Sequence, residues 1–252
     1  MENKIIAFAG KGGVGKTSLS ALTVKLLVEK FKDKKILAID ADPAVGLSTA
    51  LGVDVTHTVN DVRLQFIDEL KKPDRPSTIE ILNNAHYELT DIMIDCGDFA
   101  FLAIGRPESA GCYCSINSFL KDIISELVSN FDYVVIDGEA GIEQVNRRVM
   151  EKVTDLVLIS DGSMKGLNVA RSIDQVAKNL NMCNKSACII NRVSNPDVID
   201  KIKADGLNIV GYIYEDQSIE MTDVEGKSLL SLDGKATAIE QLEKALKKAE
   251  VI

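Results

Sequence analysis

Residues 4–17 read Lys4-Ile5-Ile6-Ala7-Phe8-Ala9-Gly10-Lys11-Gly12-Gly13-Val14-Gly15-Lys16-Thr17, and this stretch decides the fold. The apolar run predicts a strand over 4–9, the glycines a tight loop, and the pattern that follows a helix over 17–31. Gly-x-x-x-x-Gly-Lys-Thr between a strand and a helix is the pattern of a loop that cradles phosphate. Glycines lack a Cβ, so the backbone can curl and aim its N–H groups at phosphate oxygens. The positive end of the following helix adds a favourable field. On this reading Gly12, Gly13, Val14, Gly15, Lys16, Thr17 and Ser18 bind ATP. Lys16 reaches the β- and γ-phosphates, and the Thr17 hydroxyl holds Mg²⁺.

Outward from that loop, apolar β-branched runs alternate with helical patterns. Strands are expected over 35–40, 99–104, Tyr133–Asp137, 155–160, 186–191 and 208–212. Helices are expected over 115–130, 143–152, 166–180 and 236–249. The alternation predicts an α/β fold, a mostly parallel sheet flanked by helices. Residues 53–96 are less regular. They suggest a helix near 59–70, a turn at 72–76 and a weak strand near 91–95. With no repeat, low-complexity tract or flexible linker, residues 1–252 read as a single domain, with 53–96 as an insertion at the sheet edge.

Composition narrows the function. The 252 residues carry 29 Lys plus Arg against 38 Asp plus Glu, a net charge of -9. An acidic chain is a poor general ligand for nucleic acid. No apolar run is long enough for a membrane span, and the first residues do not resemble a signal peptide. The five cysteines are an odd number at irregular spacing, which argues for free thiols and a reducing, cytoplasmic setting.

Two further strands end in carboxylates. Ile36-Leu37-Ala38-Ile39 runs into Asp40-Ala41-Asp42-Pro43, and Tyr133-Val134-Val135-Ile136 ends in Asp137. Open α/β sheets bind ligands beyond the carboxyl ends of their strands. Asp40 and Asp42, two apart, point to one side of an extended segment and suit the Mg²⁺ shell and the attacking water. Four apolar residues followed by Asp137 match the strand whose carboxylate contacts Mg²⁺ or its water.

Lys11, directly after the first loop glycine, resembles the signature lysine of the deviant Walker A family of P-loop ATPases, which includes MinD, ParA and the nitrogenase iron protein. The resemblance implies a homodimer in which Lys11 reaches the partner's nucleotide. It also implies that Asp40 lies nearer the metal, that Asp42 orients the water, and that 137–141 moves when the γ-phosphate leaves. Asn191 matches the family's adenine-reading asparagine, and its amide both donates and accepts. A second base-contacting loop is implied at 211–216, although its usual proline is Tyr214 here.

Cys112 and Cys114 lie two apart just before a helix. An extended loop turns both sulfurs the same way, and a helix N-terminus favours thiolate. Two thiolates do not close a four-coordinate site, but two copies about a two-fold axis do. Cys-Tyr-Cys followed by x-x-Asn-Ser-Phe-Leu resembles the CooC family of nickel-insertion ATPases and its AcsF relatives. That resemblance implies Ni²⁺ bound by Cys112 and Cys114 across a dimer, and a client nickel enzyme, carbon monoxide dehydrogenase or acetyl-CoA synthase. On donor chemistry alone Zn²⁺ and Cu⁺ also suit such a site. Cys96, Cys183 and Cys188 read as buried small residues, and His57 and His86 as surface or packing residues.

Two other readings compete. An iron–sulfur ATPase of the nitrogenase iron protein type would carry a cysteine just after 137–141, where Ile142-Glu143-Gln144-Val145 stands instead, so its cluster would be shared through Cys112 and Cys114 of both copies. A MinD- or ParA-like positioning ATPase needs a basic amphipathic membrane tail or a basic DNA face. Residues 241–252 are only mildly amphipathic and lack aromatics, and the net charge is negative.

Overall fold

A computed structural model describes residues 3–42, 46–72, 78–106, 114–138, 145 and 149–252. In chain order its main elements are β1 (Lys4–Gly10), α1 (Lys16–Lys30), β2 (Ile36–Asp40), α2 (Gly46–Leu51), α3 (Val59–Leu70) and α4 (Thr78–Asp91). These are followed by β3 (Ile94–Asp95), β4 (Ala100–Ala103), α5 (Cys114–Val128), β5 (Tyr133–Asp137), β6 (Val153–Ser160) and α6 (Met164–Asn179). The chain closes with β7 (Cys183–Val193), β8 (Ile209–Tyr214), α7 (Gln217–Val224) and α8 (Thr237–Lys248).

The eight strands form one sheet in the order β3-β4-β2-β5-β1-β6-β7-β8. Among the described residues, only the two-residue β3 runs antiparallel, against β4 at the edge. The chain leaves β1 toward β2 on one side and later adds β6, β7 and β8 on the other. The phosphate loop therefore leaves the sheet where the winding direction reverses, the usual place for a ligand crevice in such sheets.

Alternation along β1 shows how the layers form. Ile5, Ala7 and Ala9 face one core, shared with Val62 and Phe66 of α3, Ile124 of α5 and Leu167 of α6. Ile6 and Phe8 face the other, shared with Leu22 and Leu26 of α1, Leu47 of α2 and Leu242 of α8. Period-two alternation with both faces covered produces near-continuous apolar strands. Helix α1 is buried almost all round, from Leu19 to Leu27, which is why its sequence carries little amphipathic signal. The more amphipathic α8 keeps Ala238, Ile239, Leu242, Ala245 and Leu246 inward.

Gly10 ends β1 against its neighbour: a Cβ there would lie 2.1 Å from the Ile159 carbonyl oxygen, so no larger residue fits. At 53–96, Val59, Val62, Phe66, Ala85 and Leu89 join the same core as the central strands. The segment holds two helices rather than the expected one, since 78–91 is helical as well. Of the helix expected over 143–152, residues 143–144 and 146–148 lie outside the described residues, and 149–152 are not helical. Among the described residues, no helix is long and apolar enough to cross a membrane.

Candidate functional site

The register aligns the chemistry. Parallel pairing sets Asp40 beside Asp137 and Phe8 beside Asp137, so three strand ends open on one crevice. Gly13 and Gly15 adopt left-handed backbone angles, φ 80° and 89°, which side chains other than glycine rarely tolerate. Gly15 sits at the N-cap of α1 and offers no side chain to close it. The first N–H groups of a helix lack intrahelical partners, so this end is left available to an anion.

Lys16 is buried, with its ammonium 3.4 Å from the Lys11 carbonyl oxygen. Thr17 Oγ1 donates to Asp137 Oδ2 at 2.7 Å, and Ser20 Oγ to Asp137 Oδ1 at 3.1 Å. Ser18 is half-buried in the same helical turn. Asp137 is fully buried, and that burial pushes its carboxyl up to about 6, against the opposing pull of Thr17, Ser20 and Lys16. Asp40 is pushed up to about 7 by burial and then by the Asp137 charge.

Asp40 has a second occupation. Its Oδ1 accepts from the Asp42 N–H at 3.1 Å, and its Oδ2 from Leu47 N at 2.8 Å and Ser48 N at 3.4 Å. Both oxygens therefore tie the segment after β2 to the start of α2. Asp42 is half-buried at the crevice and adds to the upward pull on Asp137. Pro43 lies outside the described residues.

Lys11 is held within its own chain, its ammonium 3.1 Å from Asp161 Oδ2. Asp161 follows β6 directly. Partial burial pulls it up, but hydrogen bonds from Ser163 and Lys11 leave it below the ordinary carboxylate range. Sequence reasoning missed Asp161, because Ser160 separates it from the apolar run 156–159, whereas Asp137 follows its four apolar residues directly. Asn191 is buried and donates from Nδ2 to the Val14 carbonyl at 2.9 Å, so it meets the phosphate loop itself. Gly12 is exposed, and Val14 is buried beneath the loop.

Cys112 and the side chain of Cys114 lie outside the described residues, as do 139–144. The flanks of the cysteine loop are described, and both are tied to α3. Gly105 turns at φ 79° against Thr58, the N-cap of α3, and Asn60 N donates to Ile104 O at 3.0 Å. Arg63 Nε donates to Asn117 Oδ1 at 2.7 Å, one helical turn beyond Cys114. Among the described residues, no group of three or more His, Cys, Asp or Glu gathers as a metal site. Of the other cysteines only Cys188 is buried, whereas Cys96 and Cys183 are half-exposed, more open than expected. His57 is exposed and His86 half-buried.

Residues 5–229 match the CobQ/CobB/MinD/ParA nucleotide binding domain family. The chain belongs to that family. It is 35% identical over 232 residues to an uncharacterized ATP-binding protein of Methanocaldococcus jannaschii, covering 90% of this chain and 91% of the relative. It is 28% identical over 239 residues to the carbon monoxide dehydrogenase accessory protein CooC of Rhodospirillum rubrum, covering 90% and 89%. The cell division ATPase MinD of Pyrococcus furiosus shares the fold, with a TM-score of 0.70 at 20% identity over 98% of each chain. The chain is thus a nucleotide-binding P-loop ATPase of the MinD/ParA/CooC family.

Proposed function

We propose that this chain is a Mg²⁺-dependent ATPase that works as a cytoplasmic homodimer and carries Ni²⁺ as cargo to a client nickel enzyme, carbon monoxide dehydrogenase or acetyl-CoA synthase. The observation that carries the ATPase reading is the convergence of Lys16, Thr17 and Asp137 beneath the open N-terminus of α1. Backbone N–H groups of 12–18 bind the phosphates, and Lys16 neutralises charge on the β- and γ-oxygens. Asp42 orients the attacking water, and Lys11, once released from Asp161, completes the partner's site.

The donor set suits Mg²⁺. Asp137 is a fully buried carboxylate beside Asp40 and Asp42, raised by desolvation, and a divalent cation would offset that cost. Thr17 and Asp137 would hold the ion, directly or through its water. When bound it supplies charge neutralisation at the phosphate oxygens. Asp40 serves better as the anchor of the segment after β2, because both its oxygens already accept backbone N–H groups.

Support for nickel comes from Cys112 and Cys114 and from the likeness to a CooC protein along nine-tenths of the chain. Two copies would supply four thiolates, and Zn²⁺ is expected to substitute. The residues 1–252 are read as one domain, in which α3 of the 53–96 insertion braces the cysteine loop at Gly105 and Asn117. Neither a nucleic acid nor a membrane is among the proposed partners. The test is phosphate release from ATP by the wild type and Lys16→Ala, with Mg²⁺ and with chelator. Turnover that survives Lys16→Ala, or that needs no divalent cation, overturns the reading.

A further inference from the structure

A loop that turns its N–H groups inward to phosphate must turn its carbonyls outward, and each outward carbonyl needs a donor. Two neighbouring residues of β7 supply them. Arg192 Nη1 donates to the Gly13 carbonyl at 2.9 Å, and Asn191 Nδ2 donates to the Val14 carbonyl at 2.9 Å. Neighbours on a regular strand point to opposite faces. Here the pairing of β7 with β8 shifts between Ile190 and Val193, and Arg192 takes a left-handed φ of 57°. That irregularity brings both side chains to the same loop. Bulges beside active sites re-aim side chains in this way, and left-handed non-glycine residues persist where the surrounding structure over-determines them.

We infer that Arg192 is a positioning residue for the nucleotide's polyphosphate chain, acting with Asn191 through the backbone of the phosphate loop. The inference rests on the ATP-binding reading above. Its physical basis is the planarity of the peptide group. The Gly13 carbonyl and the Val14 N–H belong to one rigid trans peptide, and the Val14 carbonyl and the Gly15 N–H to the next. Holding each carbonyl outward therefore aims the opposite N–H inward. Asn191 fits so closely that a Cβ on Gly15 would lie 2.5 Å from its Nδ2. The Arg192 side chain is otherwise exposed, so its cost in strained backbone is not offset by burial in a core.

Because this device acts on the loop and not on the base, its loss should be felt equally by every polyphosphate ligand. The experiment compares wild type, Arg192→Gly and Arg192→Lys in equilibrium binding of ATP, GTP and inorganic tripolyphosphate, and in steady-state ATP hydrolysis. Glycine accepts the left-handed angle without strain, so Arg192→Gly should melt no lower than wild type. Its dissociation constants for all three ligands should rise about tenfold, the lower end of what a hydrogen bond to a charged group contributes. KM for ATP should rise in step while kcat stays within about twofold. Arg192→Lys, which keeps a donor but not the planar fork, should recover part of the affinity.

Unchanged binding in both variants overturns the inference. A loss confined to ATP overturns it too, because that pattern belongs to a base contact. A fall in kcat at constant KM overturns it in favour of a transition-state role. If the wild type itself binds none of the three ligands, the ATP-binding reading fails, and the inference fails with it.

Discussion

Asp137→Asn should make the metal-free protein more stable at neutral pH while abolishing phosphate release. Asp137 is fully buried, and its carboxyl is pushed up to about 6 by that burial; its neighbour Asp40 stands at about 7. In the unfolded chain both titrate near the ordinary 3.8. Between those limits the native state holds protons that the unfolded state has released, so stability falls as pH rises. Raising the Asp137 carboxyl from 3.8 to about 6 corresponds to about 3 kcal/mol. Asparagine removes that charge and its repulsion of Asp40, but exchanges two hydrogen bonds to a carboxylate, from Thr17 and Ser20, for weaker neutral ones. The net gain should be about 2 kcal/mol at about pH 8, or roughly 4–8 °C in Tm for a chain of this size. The assay is thermal unfolding in chelator from about pH 5 to about pH 8, on wild type and variant. The wild-type Tm should fall more steeply with pH, and the two curves should meet near the acid end. Parallel curves, or a variant that melts lower at about pH 8, would refute the argument that desolvation dominates at Asp137.

Other consequences are separable. Gly15→Ala should abolish nucleotide binding and lower Tm, because φ 89° disfavours any Cβ and that Cβ would strike Asn191 Nδ2; calorimetric titration with ADP and a melting curve check it. Lys11→Ala should change stability by less than about 1 kcal/mol, since both partners of its ion pair with Asp161 are about one-third exposed. The same variant should lose ATP turnover at every protein concentration, measured alongside the melting curve. Cys188, with its thiol pushed up to about 12 by burial, should resist iodoacetamide in the native protein and react only after denaturation, as read by mass spectrometry.

The phosphate loop was legible because its chemistry is local: spacing, glycines and a flanking strand suffice. The same holds for β5, whose bounds match the expected 133–137. Elements built by tertiary contacts were not legible. Helix α2 spells Gly-Leu-Ser-Thr-Ala-Leu, a poor helix former, and it is held by N–H donation to Asp40 from a neighbouring strand end. Helix α4 carries Asn83-Asn84 and His86 within its run, and its Ala85 and Leu89 are buried only through the core shared with α3 and α5. Helix α7 exposes Met221 and Val224 and buries Thr222, which inverts the usual pattern. At the site, Asp137 and Thr17 could be paired from motif logic. The Lys11–Asp161 pair spans 150 residues, and the left-handed turn at Arg192 has no local signal, so neither could be.

If two copies share nucleotide and metal, weighing the complex and counting its nickel will show it. Wild type and Cys112→Ala, each with and without ATP, are measured by light scattering and equilibrium dialysis against Ni²⁺. The wild type should be a dimer with one Ni²⁺ per two chains, and Cys112→Ala should lose that metal while retaining nucleotide binding. Nickel bound by a wild-type monomer, or bound undiminished by Cys112→Ala, would contradict it.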